Sequence, residues 1–183
     1  YSKLNKKALD VLTRSGALDG LVDDRFTGCK HFWMACVQDK PKNPKKLAEK
    51  IALYAPEEDF TKEEKIDFVS DLTGMFPFDL VMTKRIRESI NRNMVPALGN
   101  YDKDLGIAWF IPREIIQKKT KNGKPFWVVK VVDDTSTTTS IRCWGIKDDD
   151  AIYLNRPYAA KLQYSEDWGF STRSIRHTFR LLG

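Results

Sequence analysis

The stretch Ile107–Gly145, IAWFIPREIIQKKTKNGKPFWVVKVVDDTSTTTSIRCWG, decides the fold. Ile107, Trp109 and Ile111 alternate with Ala108 and Phe110, and Phe126 to Val132 is rich in aromatic and β-branched residues, so both segments favour extended backbone. Between them lies QKKTKNGKP, whose Asn122-Gly123 pair suits the positive φ angles of a tight hairpin turn. Its four lysines, Lys118, Lys119, Lys121 and Lys124, resist unpaired burial, which predicts a basic, solvated hairpin tip. A third run, Thr137 to Trp144, follows the polar turn 133–136 and completes a three-stranded meander.

Period-2 alternation sorts these side chains by face. With Trp127, Val129 and Val131 inward, Phe126, Val128 and Lys130 point outward. On the third strand Thr139, Ile141 and Cys143 share the inner face and leave Arg142 and Trp144 outside. One outer face then mixes cations with rings. Cations neutralise phosphates, and flat rings stack on unpaired bases at about 1–3 kcal/mol each, so the pattern suits a single-stranded nucleic acid. Large rings are also commonly buried beneath a neighbouring element. The lysine-rich hairpin favours the binding reading.

With 183 residues, 42% hydrophobic and 31% charged, the chain has the length and composition of a soluble globular protein of one large domain or two small ones. It lacks an apolar run of membrane-spanning length and a secretory leader pattern. Three cysteines, Cys29, Cys36 and Cys143, without CxxC spacing argue against a disulfide framework or a structural zinc site, and a reducing cytoplasm is expected. The chain opens on Tyr1 and not Met, which suggests a piece of something longer. Residues 107–183 carry 13 Lys/Arg against 8 Asp/Glu, whereas residues 1–106 carry 18 against 17. The basic excess therefore sits on the strand-rich half, as a polyanionic partner would require.

The first half reads as helical. Asn5 is an N-cap and Gly16 a stop for a helix with the apolar stripe Leu4, Ala8, Leu9, Val11 and Leu12. Phe26 to Val37 keeps helical spacing, Asn43-Pro44 opens a third helix that Pro56 ends, and Thr61-Lys62-Glu63-Glu64 is a capping box for a fourth, stopped at Gly74. A fifth passes through Ile86 and Ile90 to about Asn93. The turn-rich segment 96–106 is the expected linker. Past the meander, 147–154 predicts one or two helical turns, and Tyr158 to Tyr164 and Phe170 to Leu182 give two more strands. The expected fold class is α+β: a helical subdomain over 1–95, the linker, and over 107–183 a five-stranded OB-fold β-barrel.

Three stretches resemble a known family. Leu4 to Asp19, LNKKALDVLTRSGALD, Glu63 to Gly74, EEKIDFVSDLTG, and the hairpin Lys119 to Asp134, KTKNGKPFWVVKVVDD, occur in the order and spacing found in the bacterial C-family replicative polymerase, DNA polymerase III alpha subunit. The likeness covers the region from just after the helix-hairpin-helix motif through the OB domain, and a phage or distant member would fit. It implies a DNA-binding region of a DNA-directed DNA polymerase, non-catalytic by itself, with the polymerase acids outside this segment. The implied partner is single-stranded template DNA, with a sliding clamp, clamp loader or neighbouring polymerase domain as the alternative. No cofactor, no membrane contact and a monomer are expected.

Expected DNA contacts are Lys118, Lys119, Lys121 and Lys124 from the hairpin, and Phe126, Lys130, Arg142 and Trp144 from the sheet face. Arg173 and Arg176 join them from the last strand region. Two-metal chemistry needs converging carboxylates, and Asp102-Lys103-Asp104 and Asp148-Asp149-Asp150 read better as turn and cap acids. Cys29 and His31, two apart on a helix, do not face one another and are expected as a buried thiol and a surface imidazole. His177 has no visible catalytic partner. The docking alternative predicts an exposed apolar patch including Trp109, Phe110 or Trp144.

Overall fold

The computed structural model describes residues 5–55, 58–135 and 138–183. Leu4 of the first apolar stripe, the helix stop Pro56, and Ser136 and Thr137 before the third strand lie outside the described residues. The architecture is mixed α+β, in two compact units, Tyr1–Pro77 and Phe78–Gly183. Among the described residues, no helix is long and apolar enough to cross a membrane.

The first unit holds α1 (Lys6–Arg14), α2 (Cys29–Phe32), a π-helical turn (Trp33–Gln38), α3 (Pro44–Leu53) and α4 (Lys62–Thr73). Local capping chemistry sets their starts. Asn5 Oδ1 accepts the Ala8 N–H at 2.7 Å, Asn43 Oδ1 accepts that of Lys46 at 2.8 Å, and Thr61 and Glu64 close a reciprocal capping box. Gly74 ends α4 at φ +69°, a left-handed conformation that a Cβ would disfavour. Ala35, Val37, Phe60 and Ile66 are buried here. His31 is also buried, 2% exposed, which overturns the expected surface imidazole. The polar interior suits it: Nδ1 accepts the Thr27 N–H at 3.1 Å, and Nε2 lies 2.8 Å from the Ile51 carbonyl oxygen, a geometry that places the proton on Nε2.

The second unit begins with α5 (Phe78–Val81), α6 (Lys84–Arg92) and a 3-10 turn (Leu98–Asn100), followed by β1 (Ile107–Lys119), β2 (Pro125–Val132) and β3 (Thr138–Trp144). Then come β4 (Tyr158–Lys161), β5 (Gln163–Ser165), β6 (Gly169–Thr172), α7 (Ile175–Thr178) and β7 (Phe179–Leu181). They form one seven-stranded sheet in the order β5-β6-β3-β2-β1-β4-β7. β3 and β6 run parallel, and the other neighbours antiparallel.

A register shift between Pro112 and Glu114 bends β1, at the residue that has no N–H to give a ladder. Its first half pairs with β4 and its second with β2. β4 and β5 are separated by Leu162 alone, yet β4 pairs with β1 and β5 with β6, on the far side of the meander. Chain continuity therefore curls the sheet. Phe110, Val129, Val131, Ile141 and Cys143 fill its concave interior with Ala108, Ala160, Leu162 and Phe179.

Seven strands stand where five were expected, because the fourth breaks at Leu162 and the fifth divides around α7. The expected helical turn over 147–154 is absent: Asp150 Oδ2 accepts the Lys147 N–H at 2.8 Å and closes a turn instead. The segment 96–106 belongs inside the second unit. Trp109 N–H donates to the Pro96 carbonyl at 2.9 Å, Gly99 N–H to buried Asp133 at 2.5 Å, and the Tyr101 hydroxyl to the Leu162 carbonyl at 2.6 Å. A turn-rich composition is here a segment stitched to the sheet, with Leu98 in its core.

Candidate nucleic-acid interface

The hairpin between β1 and β2 turns over Thr120 to Lys124. Gly123 N–H donates to the Thr120 carbonyl and Thr120 N–H to the Lys124 carbonyl, each at 2.9 Å. Gly123 takes φ +76°, whereas Asn122 does not enter the positive region, so the expected two-residue turn gives way to a three-residue loop with one left-handed glycine. Lys118, Lys119, Lys121 and Lys124 are all exposed around it. Among the described residues, none of the four lies in a salt bridge.

The β1–β2–β3 register then lines side chains into rows across the outer face. Lys118, Phe126 and Trp144 are direct cross-strand neighbours; Ile116, Val128 and Arg142 form the next row, and Glu114, Lys130 and Ser140 the one after. On the opposite face Val129, Val131, Ile141 and Cys143 are buried in the core and Trp127 packs against it. The Phe126 and Trp144 rings stack, with centroids 4.6 Å apart and planes 24° from parallel. Each is half-buried, because each covers one face of the other. Lys118 is the cross-strand neighbour of Phe126 on the same face.

Further along the face the charges are partly answered from within. Lys130 is exposed but pairs with Glu114 at 2.8 Å. Arg142 donates to the Trp168 carbonyl and its guanidinium carbon lies 5.7 Å from the Trp168 ring. Arg176 is held by Asp149. Arg173 is exposed one residue past the Cys143–Thr172 pair, at the level of Trp144. Trp168, 64% exposed, is a residue that the sequence analysis did not single out. Its proximity to Arg142 arises from the parallel β3–β6 pairing, which no local pattern announces.

The buried or engaged residues narrow the other readings. Trp109 and Phe110 are 3% and 0% exposed and are unavailable to an apolar docking patch. Asp102 Oδ1 accepts the Asp104 N–H at 2.8 Å, as a turn acid does. Among the described residues, Asp19, Cys29 and Asp59 bring ligand-type atoms together. Lys65 binds Asp19 there, and burial together with a hydrogen bond to Asp19 pushes the Cys29 thiol up to about 12. Burial works against ionised Asp59, and N–H groups of Lys30, Phe60 and Cys29 more than offset it and hold the carboxyl below its ordinary value. That group is a structural clasp whose charges are satisfied internally. Compared with known proteins, the chain matches no protein-family model and no curated protein.

Proposed function

We propose that the sheet unit is an OB-type barrel that binds single-stranded DNA across its β2–β3 face, non-catalytically. We further propose that the chain is part of a replicative polymerase of the DNA polymerase III alpha kind, where this face would guide template. The strand connectivity supports the barrel reading. A meander, a long bent β1 shared between β2 and β4, and a parallel β3–β6 pair are compatible with a barrel of that kind. In that fold the second and third strands and the β1–β2 loop face the oligonucleotide.

The observation that carries the binding reading is the row Lys118–Phe126–Trp144, in which a cation adjoins a stacked aromatic pair beneath a lysine-rich loop. Rings supply stacking without base selectivity, and the lysines supply phosphate neutralisation. Fluorescence anisotropy with labelled oligo-dT and a duplex of equal length, titrated with salt, tests it. The expected result is tighter binding of the single strand, with log K falling by about 0.7 per neutralised phosphate per unit of log salt. Equal affinity for duplex, or affinity indifferent to salt, would sink the proposal.

A further inference from the structure

The first unit contains a cleft of about 650 Å3, within the range of small-molecule sites. α1, residues 18–26, the π-helical turn and the start of α3 contribute to its lining. That lining is mainly apolar, with Leu9, Leu18, Val22, Phe26, Val37 and Leu47. Phe26 and Val37 are 9% and 1% exposed and belong to the floor, whereas Leu21 is 68% exposed and belongs to the mouth. Close-packed interiors leave few voids larger than a water, so an apolar opening of this size is not slack between helices. Its surface is one that an apolar occupant would favourably cover.

The walls are preformed. The Asn5 and Asn43 side chains cap α1 and α3, and the Phe26 ring is met edge-on by His31 at 5.4 Å and by Phe32 at 5.2 Å. His31 is itself held between the Thr27 N–H and the Ile51 carbonyl.

The charged side chains of the lining are unequal in sign: Lys6, Arg25 and Lys40 against one acid, Asp23. Asp23 is taken by Arg25, whose Nε lies 2.8 Å from its carboxylate and holds that carboxyl below its ordinary value. Lys6 Nζ donates to the Gln38 carbonyl at 2.9 Å, which uses one of its three N–H donors. Among the described residues Lys40 lies in no salt bridge, and Asp39 beside it is bound by Lys50. Once Arg25 and Asp23 cancel, two exposed ammonium groups remain beside an apolar cleft.

We infer that this cleft binds an organic anion with an extended apolar body, of the kind a medium-chain fatty acid represents, its chain in the apolar lining and its anionic group at Lys6 and Lys40. The lining selects the body. The sign of the charge selects the head, because a cationic head would be repelled there and a neutral one would gain no attraction. The inference is independent of the single-strand reading, since every lining residue belongs to the first unit.

The test uses the full chain in isothermal titration calorimetry with hexanoate, octanoate and decanoate, and with decanol and decylamine. Affinity should rise about fourfold per methylene along the carboxylates, and decanoate should bind about tenfold more tightly than decanol or decylamine. Cys36 lines the cleft and is half-buried, whereas Cys29 and Cys143 are 2% and 0% exposed, so labelling of the native chain with N-ethylmaleimide reads the location. Decanoate at about ten times its Kd should slow the labelling of Cys36 about tenfold. Lys40→Glu, at an exposed position, should weaken decanoate about fivefold and tighten decylamine, a reversal that a merely structural lysine would not produce. Decanol or decylamine binding as tightly as decanoate would overturn the anion assignment, and Cys36 labelled at an undiminished rate would overturn the location. A chain that binds no decanoate would overturn both.

Discussion

Lys130 of β2 lies directly opposite Glu114 of β1, with Nζ 2.8 Å from the Glu114 carboxylate, in the middle of the outer face. The pair places one negative charge where a phosphate would approach. It also occupies the cation best placed on the sheet to answer that phosphate. Exposed pairs contribute at most about 1 kcal/mol, so this one is readily exchanged. Glu114→Gln should therefore tighten single-strand binding about threefold to fivefold at low salt. The gain should shrink at high salt, where screening suppresses both attraction and repulsion. Anisotropy titrations at two salt concentrations read this directly, and a weakened or unchanged low-salt affinity would place the strand elsewhere.

The stacked rings act as a unit. Removing either Phe126 or Trp144 exposes the inner face of the other and frees it to rotate, so each alanine variant should lose about 1–3 kcal/mol of binding. The double variant should lose less than the sum of the two, as coupled neighbours do. A double-mutant cycle on oligo-dT affinity checks it; strict additivity would mean that the rings engage separate bases.

The hairpin lysines are expected to act through charge alone. Replacing Lys119, Lys121 and Lys124 together by alanine should reduce the salt slope by about 2, at about 0.7 per phosphate contact, and leave thermal stability nearly unchanged because all three are exposed. Unchanged affinity and slope would remove the loop from the interface.

Asp133 ties the segment before β1 to the end of β2. Its carboxylate is buried, accepting Gly99 N–H at 2.5 Å through one oxygen, and Thr135 N–H at 3.0 Å and the Thr135 hydroxyl at 2.6 Å through the other. Asp133→Ala strands the Gly99 donor and should destabilise the sheet unit by about 2–3 kcal/mol. Urea denaturation with an unchanged m-value tests this.

Cys143 points into the core, and burial pushes its thiol up to about 12 from an ordinary 9.0. The folded form holds the proton that the unfolded chain releases first. Stability from this group is therefore complete below about pH 9 and lost as the pH rises towards 12. Cys143→Ala should lessen the alkaline fall in melting temperature between those limits. Cys143 should also resist iodoacetamide in the native protein at pH 8 and react once the chain is denatured.

Much of the molecule was legible locally. Caps at Asn5, Asn43 and Thr61 act through side chains three residues from their partners. Alternation in β2 and β3 placed Val129 and Ile141 inward and Lys130 and Arg142 outward, because a strand has only two faces. Sequence reasoning failed at two places for different reasons: the triple aspartate at 148–150 closed a local turn through Asp150 and Lys147 where a helix was expected, and His31 is buried because the Ile51 carbonyl, twenty residues away, meets its ring.

The amino-acid pattern alone determined that three strands follow one another, that a basic loop joins the first two, and which side chains share a face. These depend on neighbours within a few residues. Tertiary structure alone decided that Glu114 neutralises Lys130, that Asp149 holds Arg176, that Trp168 meets Arg142, and that the chain breaks at Leu162 to close around its core. Each depends on strand register and curvature, which the summed packing of distant residues sets and no short window contains.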